Sequence, residues 1–278
     1  MEHPDTLTSV SNLATVLQYQ GRYKEAEEKN QRALEGREKV LGTEHPDTLR
    51  SVSNLALVLL HQGRHEEAEE KNRRALEGRK RVLGIEHLDT LTSESNLALV
   101  LHHQGRYKVA EKIEKRALRG RRNVLGTEHP ITLISVSNMA FMLWHQRKYT
   151  KAEAMIRQAL EGRERVLGKE HPYTLASVSN LAFVLQHQGK HKEAEKMEKR
   201  ALKRGEKVLN TEYPDALTNV TDLVFVLPHR GEKEETDEVE KQALEGREQV
   251  IGAEHPNMLT NKGHLANART VPAAKAGP

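Results

Sequence analysis

The sequence has no cysteine among its 278 residues. That excludes disulfides, cysteine nucleophiles, iron–sulfur clusters held by thiolates and zinc sites built on thiolate ligands. Aromatic side chains are scarce, at 4% with one tryptophan, so platforms on which bases could stack are nearly missing. No apolar run approaches the roughly 20 residues a membrane helix needs. The opening Met1-Glu2-His3-Pro4-Asp5 lacks the basic-then-apolar order of a secretory signal. A soluble, cytoplasmic chain with no membrane partner is expected. Net charge is only +4, from 44 basic and 40 acidic side chains, too small a surplus to mark a nucleic-acid binder.

What the sequence does have is a repeat. His3, His45, His87, His129, His171, Tyr213 and His255 open the same phrase at intervals of 42 residues, with no insertion or deletion. This divides the chain into units 3–44, 45–86, 87–128, 129–170, 171–212 and 213–254, a partial seventh unit 255–269 and a tail 270–278 expected to be disordered. In the first unit Leu7, Val10, Leu13, Ala14 and Leu17 advance by steps that place them on one stripe of a helix, helix A. Ala26, Ala33, Leu34, Val40 and Leu41 form a second stripe, helix B, after a turn at Gly21-Arg22. Pro4, Pro46, Pro130, Pro172 and Pro214 stand where helix A can begin, because the first turn needs no donor there. Gly42, Gly84, Gly126 and Gly168 stand where helix B must stop, a place for left-handed backbone geometry, and Asn210 takes that place in the fifth unit.

One helical hairpin cannot bury its apolar stripe, so stacked neighbours must supply the core. The expected fold is all-α, a right-handed superhelical solenoid of helix-turn-helix repeats. Gly36, Gly78, Gly120, Gly162 and Gly246 fall inside helix B. At roughly 1 kcal/mol each relative to alanine, they predict a soft array of variable curvature. The sixth unit is degenerate: Pro228 lies near the end of helix A, and Thr236 replaces the alanine found at Ala26, Ala68, Ala110, Ala152 and Ala194.

The order Asn-Leu-Ala, Gln-Gly-Arg-Tyr, Lys-Glu-Ala-Glu and Arg-Ala-Leu-Glu within residues 12–35 resembles the tetratricopeptide repeat. The period and the closing Arg-Glu-Lys-Val-Leu-Gly…His-Pro-Asp are similar to the longer variety in kinesin light chains. They are equally similar to the arrays at the C-terminal ends of fungal nucleotide-binding, innate-immune-type receptors. The resemblance covers residues 2 to about 267. It departs from the family at Asn30, Asn72, Glu114, Glu198 and Glu240, where a large aromatic is common.

Helix A is expected to line the concave face, and two rows recur on it. Asn12, Asn54, Asn96, Asn138 and Asn180 occupy one position. Their amides offer donors and an acceptor to the backbone of an extended peptide, or they bond a neighbouring helix and stabilise stacking. The resemblance implies the first, because the matching asparagine in the family commonly holds a peptide backbone or its terminal carboxylate. Seven residues on stand His61, His103, His145, His187 and His229, with Tyr19 in the first unit. These could contact an acidic ligand, more strongly below about pH 6.5, or cap the end of helix A. Chelation between rungs is not expected, because packed helices lie about 10 Å apart and zinc–histidine bonds are about 2 Å. The loop histidines His3, His45, His87, His129, His171 and His255 suit capping or stacking.

Charge is unevenly shared: +3 in each of 87–128, 129–170 and 171–212, and −7 in 213–254. This suggests an acidic peptide partner or a contact with the sixth unit, against a background of solvated helix surfaces. The densest basic stretches, Arg73, Arg74, Arg79, Lys80 and Arg81 with Lys115, Arg116, Arg119, Arg121 and Arg122, lie on helix B and are expected on the convex surface.

No enzyme and no cofactor are expected. Eleven of the fifteen histidines fall at two repeat positions, and no phosphate loop or isolated catalytic cluster stands outside the periodicity. The expected function is a non-catalytic scaffold that binds an extended, acidic peptide. The alternative is a sensor or self-association array of the fungal receptor kind, and nucleic-acid binding ranks below both.

Overall fold

A computed structural model of the chain describes residues 3–208. Among these, ten helices follow one another and no strand occurs: α1 (Pro4–Tyr19), α2 (Tyr23–Leu41), α3 (Pro46–His61), α4 (His65–Leu83), α5 (Leu88–His103), α6 (Tyr107–Leu125), α7 (Pro130–His145), α8 (Tyr149–Val166), α9 (Pro172–His187) and α10 (His191–Val208). The odd-numbered helices are helix A of each repeat and the even-numbered ones helix B. None is long and apolar enough to cross a membrane, among the described residues. The sixth and partial seventh units and the tail, with Asn210, Pro228 and Thr236, lie outside the described residues.

Local chemistry sets the helix ends. His3, His45, His87, His129 and His171 are N-caps, and each Nδ1 accepts from the backbone N–H two residues on, at 3.1–3.3 Å. An orphan donor of the first turn is thereby satisfied. At the other end of helix B, Gly42 has φ 87° and ψ 166°. Positive φ was expected, but the extended ψ places this residue outside the left-handed helical basin, in a region open essentially to glycine alone. The Gly42 carbonyl then accepts from Thr48 Oγ1 at 2.8 Å, which ties the loop to the next helix.

The chain divides into two compact units, Met1–Arg147 and Lys148–Pro278. In the first, each helix packs on the next from α1 to α7. Its apolar clusters are shared between hairpins, as in Leu17, Ala26 and Val58, or Leu76, Leu97, Leu101, Ala110 and Met142. Neighbours therefore supply the core that one hairpin lacks. In the second unit α8 packs on α9 and α9 on α10, burying Ile156, Leu160, Leu175, Leu181 and Leu185.

The helix B glycines require a correction. Gly36, Gly78 and Gly120 do not interrupt their helices, which run through them unbroken. A Cβ on Gly36 would lie 2.5 Å from Leu7 Cδ2, on Gly78 2.6 Å from Leu49 Cδ2, and on Gly120 2.7 Å from Leu91 Cδ2. The missing side chain is the socket for the leucine of helix A in the same repeat. These glycines provide close packing between the two helices of a hairpin.

Candidate functional site

The exposed side of each helix A carries residues at steps of three and four. In α3 these are Asp47, Arg50, Asn54, Leu57 and His61; in α5 Asp89, Thr92, Asn96, Leu99 and His103; in α7 Ile131, Ile134, Asn138, Phe141 and His145. Asn12 is exposed, and Asn54, Asn96 and Asn138 are half-buried. Asn180, in the second unit, is exposed. Among the described residues none of these five side chains makes a hydrogen bond to another protein group. The helix B asparagines differ. Asn30 and Asn72 are buried, Asn72 Nδ2 donates to the Ala68 carbonyl at 3.0 Å, and both Oδ1 atoms lack a partner. Asn72 forms the floor of a shallow depression between α3 and α5, together with Ser53, Leu57, Leu60, Asn96 and Leu99.

The histidine row has a definite neighbour. Among the described residues, each of its members meets the ring that opens helix B of the preceding repeat: His61 stacks on Tyr23 at 5.4 Å, His103 on His65 at 5.8 Å and His145 on Tyr107 at 6.3 Å, and in the second unit His187 lies tilted beside Tyr149 at 6.0 Å, while His229 lies outside the described residues. Burial pushes His103 and His145 below the ordinary imidazole range, and for His103 the neighbours His65 and His145 add to the shift. A residue the repeat pattern hides is His102, 3% exposed where the second repeat has Leu60. It meets His145 at 4.5 Å, Phe141 at 4.8 Å and Tyr107 at 5.0 Å. Burial, with His145 and His103 nearby, lowers its pKa to about 4. No three His, Asp or Glu side chains converge on a metal position among the described residues.

Positive charge at the edges of this face is neutralised locally. Arg50 pairs with Asp47 at 2.9 Å. At the hairpin turns Arg64 pairs with Glu67 at 2.6 Å and reaches back to Glu27 of the previous repeat at 2.7 Å, while Arg106 reaches Glu69 at 2.9 Å. In the second unit Lys190 does the same to Glu153 at 2.7 Å.

A second correction concerns the basic stretches. Arg79 and Arg121 are buried between hairpins, as are Arg37 and Arg163, and none of the four lies on a convex surface. Arg37 Nη1 donates to Ser11 at 2.9 Å and to Ser51 at 2.5 Å. Arg79 Nη1 donates to Ser53 at 3.1 Å and to Ser93 at 2.6 Å. Arg121 joins Ser95, at 2.9 Å, to Ser135, and in the second unit Arg163 donates to Ser177 at 2.5 Å. One guanidinium thus holds helix A of the next repeat and, in the first three cases, helix A of its own as well. Burial lowers all four pKa values, that of Arg163 to about 10. The signal available in the sequence was the recurrence of Arg37, Arg79, Arg121 and Arg163 at 42-residue intervals, while neighbouring charges change freely.

Two buried carboxylates lie in the third repeat. Glu94 takes the place of Val52 and Val136 and is paired with Arg116, whose Nε donates to Oε2 at 2.9 Å. Glu114 takes the place of Asn72. Burial raises its pKa to about 7, although the Ser95 and Ser135 hydroxyls and the charge of Arg121 pull the other way.

Comparisons with known proteins agree with this architecture. A search of curated sequences finds no match. The family model described as tetratricopeptide repeat matches residues 5–81, 51–123, 89–138 and 131–207, and a second model of that description matches 221–257. Similar solved structures include the nearly identical TPR-like repeats of a Podosopora anserina protein described as a kinesin light chain. It is 28% identical, with a TM-score of 0.63, over 75% of this chain and 98% of that one. BtubC (BKLC) from P. vanneervenii, 20% identical, shares the fold at a TM-score of 0.64 over 92% of this chain and 96% of its own. The apo form of RapI, 13% identical, does so at 0.65 over 95% and 97%. Stacked hairpins, glycine sockets and a recurring helix A face are thus the local expression of a known solenoid: the chain belongs to the tetratricopeptide repeat family and is similar in particular to kinesin light chain-like arrays.

Proposed function

We propose that this array, a protein-interaction scaffold, holds an extended peptide against the helix A face of residues 3–147 through the amides of Asn12, Asn54, Asn96 and Asn138. The observation that carries this reading is their hydrogen-bond status. In a structure where the N-cap histidines, the serines and the buried arginines all have partners, these recurring amides have none among the described residues. An extended peptide brings its own unpaired N–H and C=O groups, and an amide can serve both. Asn180, in the second unit, and the stacked His61, His103, His145 and His187 are candidate contacts beside them.

The acidic preference suggested by overall charge has little support on this face, where Arg50 is already paired with Asp47. Self-association remains the second reading. Leu13 and Val16 of α1 are 47% and 50% exposed, an apolar stripe suited to another chain. The test is selection of a randomised peptide display library on the full chain and on a variant carrying Asn54→Ala, Asn96→Ala and Asn138→Ala. Enriched peptides that the variant no longer binds, with its helicity unchanged by circular dichroism, support the groove. Loss of helicity would make the asparagines structural, and absence of enrichment together with concentration-dependent sedimentation would favour self-association.

A further inference from the structure

Helix α1 leaves open a face that every later helix A of the described residues buries. Leu13 and Val16 hold the positions of Leu55 and Val58 in α3. The two α3 residues are 3% and 0% exposed, whereas Leu13 and Val16 are 47% and 50% exposed. Cover for the α3 and α5 residues comes from helix B of the preceding repeat: Leu34 of α2 packs with Leu55 of α3, and Leu76 of α4 with Leu97 of α5.

The polar half of the junction is open as well. Ser51, Ser93 and, in the second unit, Ser177 are buried and each accepts from an arginine of the preceding helix B, at 2.5, 2.6 and 2.5 Å. Ser9 holds the same position in α1 and is exposed. Its hydroxyl donates to the Asp5 carbonyl at 3.0 Å, and among the described residues no arginine reaches it. The face therefore carries the whole receiving half of a repeat junction, apolar side chains and serine together. What fits it is a helix B of this repeat kind, with leucine at the position of Leu34 and arginine at that of Arg37.

One such stretch lacks its match in its own chain. Ala243, Leu244 and Arg247 stand at the positions of Ala33, Leu34 and Arg37, inside the segment 221–257 that matches the repeat model. The positions that would receive them are changed. Asn261 stands for Ser51, Lys262 for Val52 and Ala268 for Val58. Val52 is fully buried, a setting lysine avoids. On α1 of a second copy the same positions are Ser9, Val10 and Val16.

Resting on the self-association reading above and independent of peptide binding, we infer that copies of this chain associate head to tail. Residues 233–251 of one copy dock on α1 of the next, with Leu244 against Leu13 and Arg247 donating to Ser9. Such a contact joins two different surfaces and leaves one of each kind free on every pair, so association proceeds past the dimer.

The test is sedimentation velocity of the full chain from about 1 µM to about 1 mM. Species that grow past the dimer are expected. Leu13→Glu with Val16→Glu alters only exposed positions of the single chain, and is expected to give a monomer of unchanged helicity. Ser9→Ala should weaken association about fivefold. Because the chain has no cysteine, a copy carrying Thr6→Cys and a copy carrying Ala253→Cys can be joined by a short bis-maleimide. Their nearness is expected from α3, where Thr48 Oγ1 donates to the Gly42 carbonyl beside Thr43. The mixed pair should cross-link about tenfold or more above either copy with itself. Association that stops at a dimer cross-linked through Thr6→Cys alone overturns the head-to-tail assignment and leaves self-association standing. Association unchanged by Ser9→Ala overturns the arginine bridge. A monomer at every concentration overturns self-association altogether and leaves the peptide-binding reading untouched.

Discussion

Arg79 of α4 donates one hydrogen bond to Ser93 of α5, at 2.6 Å, across the junction between two consecutive hairpins. The same nitrogen holds Ser53 of its own repeat, and among the described residues no carboxylate pairs with the guanidinium. The charge is stabilised by hydroxyl and carbonyl dipoles, the Asp89 carbonyl accepting from the same nitrogen at 3.4 Å, so the hydrogen bonds depend strongly on one another.

Replacing that arginine should open the junction. Arg79→Ala leaves Ser53 and Ser93 without their donor and leaves a cavity, and is expected to destabilise by about 2–4 kcal/mol. Urea unfolding followed by helicity checks this. A midpoint unchanged from the parent would show that the serines recover their bonds elsewhere.

Helix propensity and packing give opposite signs at Gly78. Alanine should stabilise a helix interior by roughly 1 kcal/mol, yet its Cβ would lie 2.6 Å from Leu49 Cδ2 and 2.9 Å from Cδ1. Gly78→Ala is expected to destabilise by about 1–3 kcal/mol, and Leu49→Ala in the same chain should relieve much of that overlap. A double-mutant cycle on thermal unfolding measures the coupling, and a stabilising single substitution would refute the socket.

Glu114 makes stability depend on pH. Its folded pKa, about 7, lies above the ordinary carboxylate value of 4.5, so the unfolded chain releases the proton first. Its contribution is fully present below about pH 4.5 and is lost as pH rises through 7. Glu114→Gln should flatten this window. Melting curves from pH 4 to 8, parent against variant, decide it.

His102 gives the opposite slope. Its folded pKa of about 4 lies below the ordinary 6.5, so the unfolded chain takes up the proton first. Stability should fall as pH drops from 6.5 towards 4 and level off below. His102→Leu, which copies Leu60 of the second repeat, is expected to remove the dependence. Proton NMR of the imidazole would show the site directly, and an ordinary titration near 6.5 would contradict its burial.

The helix ends and the apolar stripes were legible in the sequence because each has a local cause that recurs every 42 residues. Proline and histidine open helix A, and glycine closes helix B. The burial of Arg37, Arg79 and Arg121 was not, since their partners lie 14 and 26 residues away on two different helices. A charged helix B residue among other charges has no local mark of burial. Gly78 was misjudged for a related reason: the propensity scale describes an isolated helix, and Leu49 belongs to another. The asparagine row was visible as a pattern, but its freedom from hydrogen bonds is a three-dimensional fact.

The arginine bridges also bear on how the array can change length. If residues 45–86 were removed, Ser93 would arrive where Ser51 now stands and Arg37 would find the same hydroxyl waiting. The links are interchangeable, so whole repeats can be gained or lost without any junction having to be invented, whereas an insertion of any other length would misalign every bridge beside it.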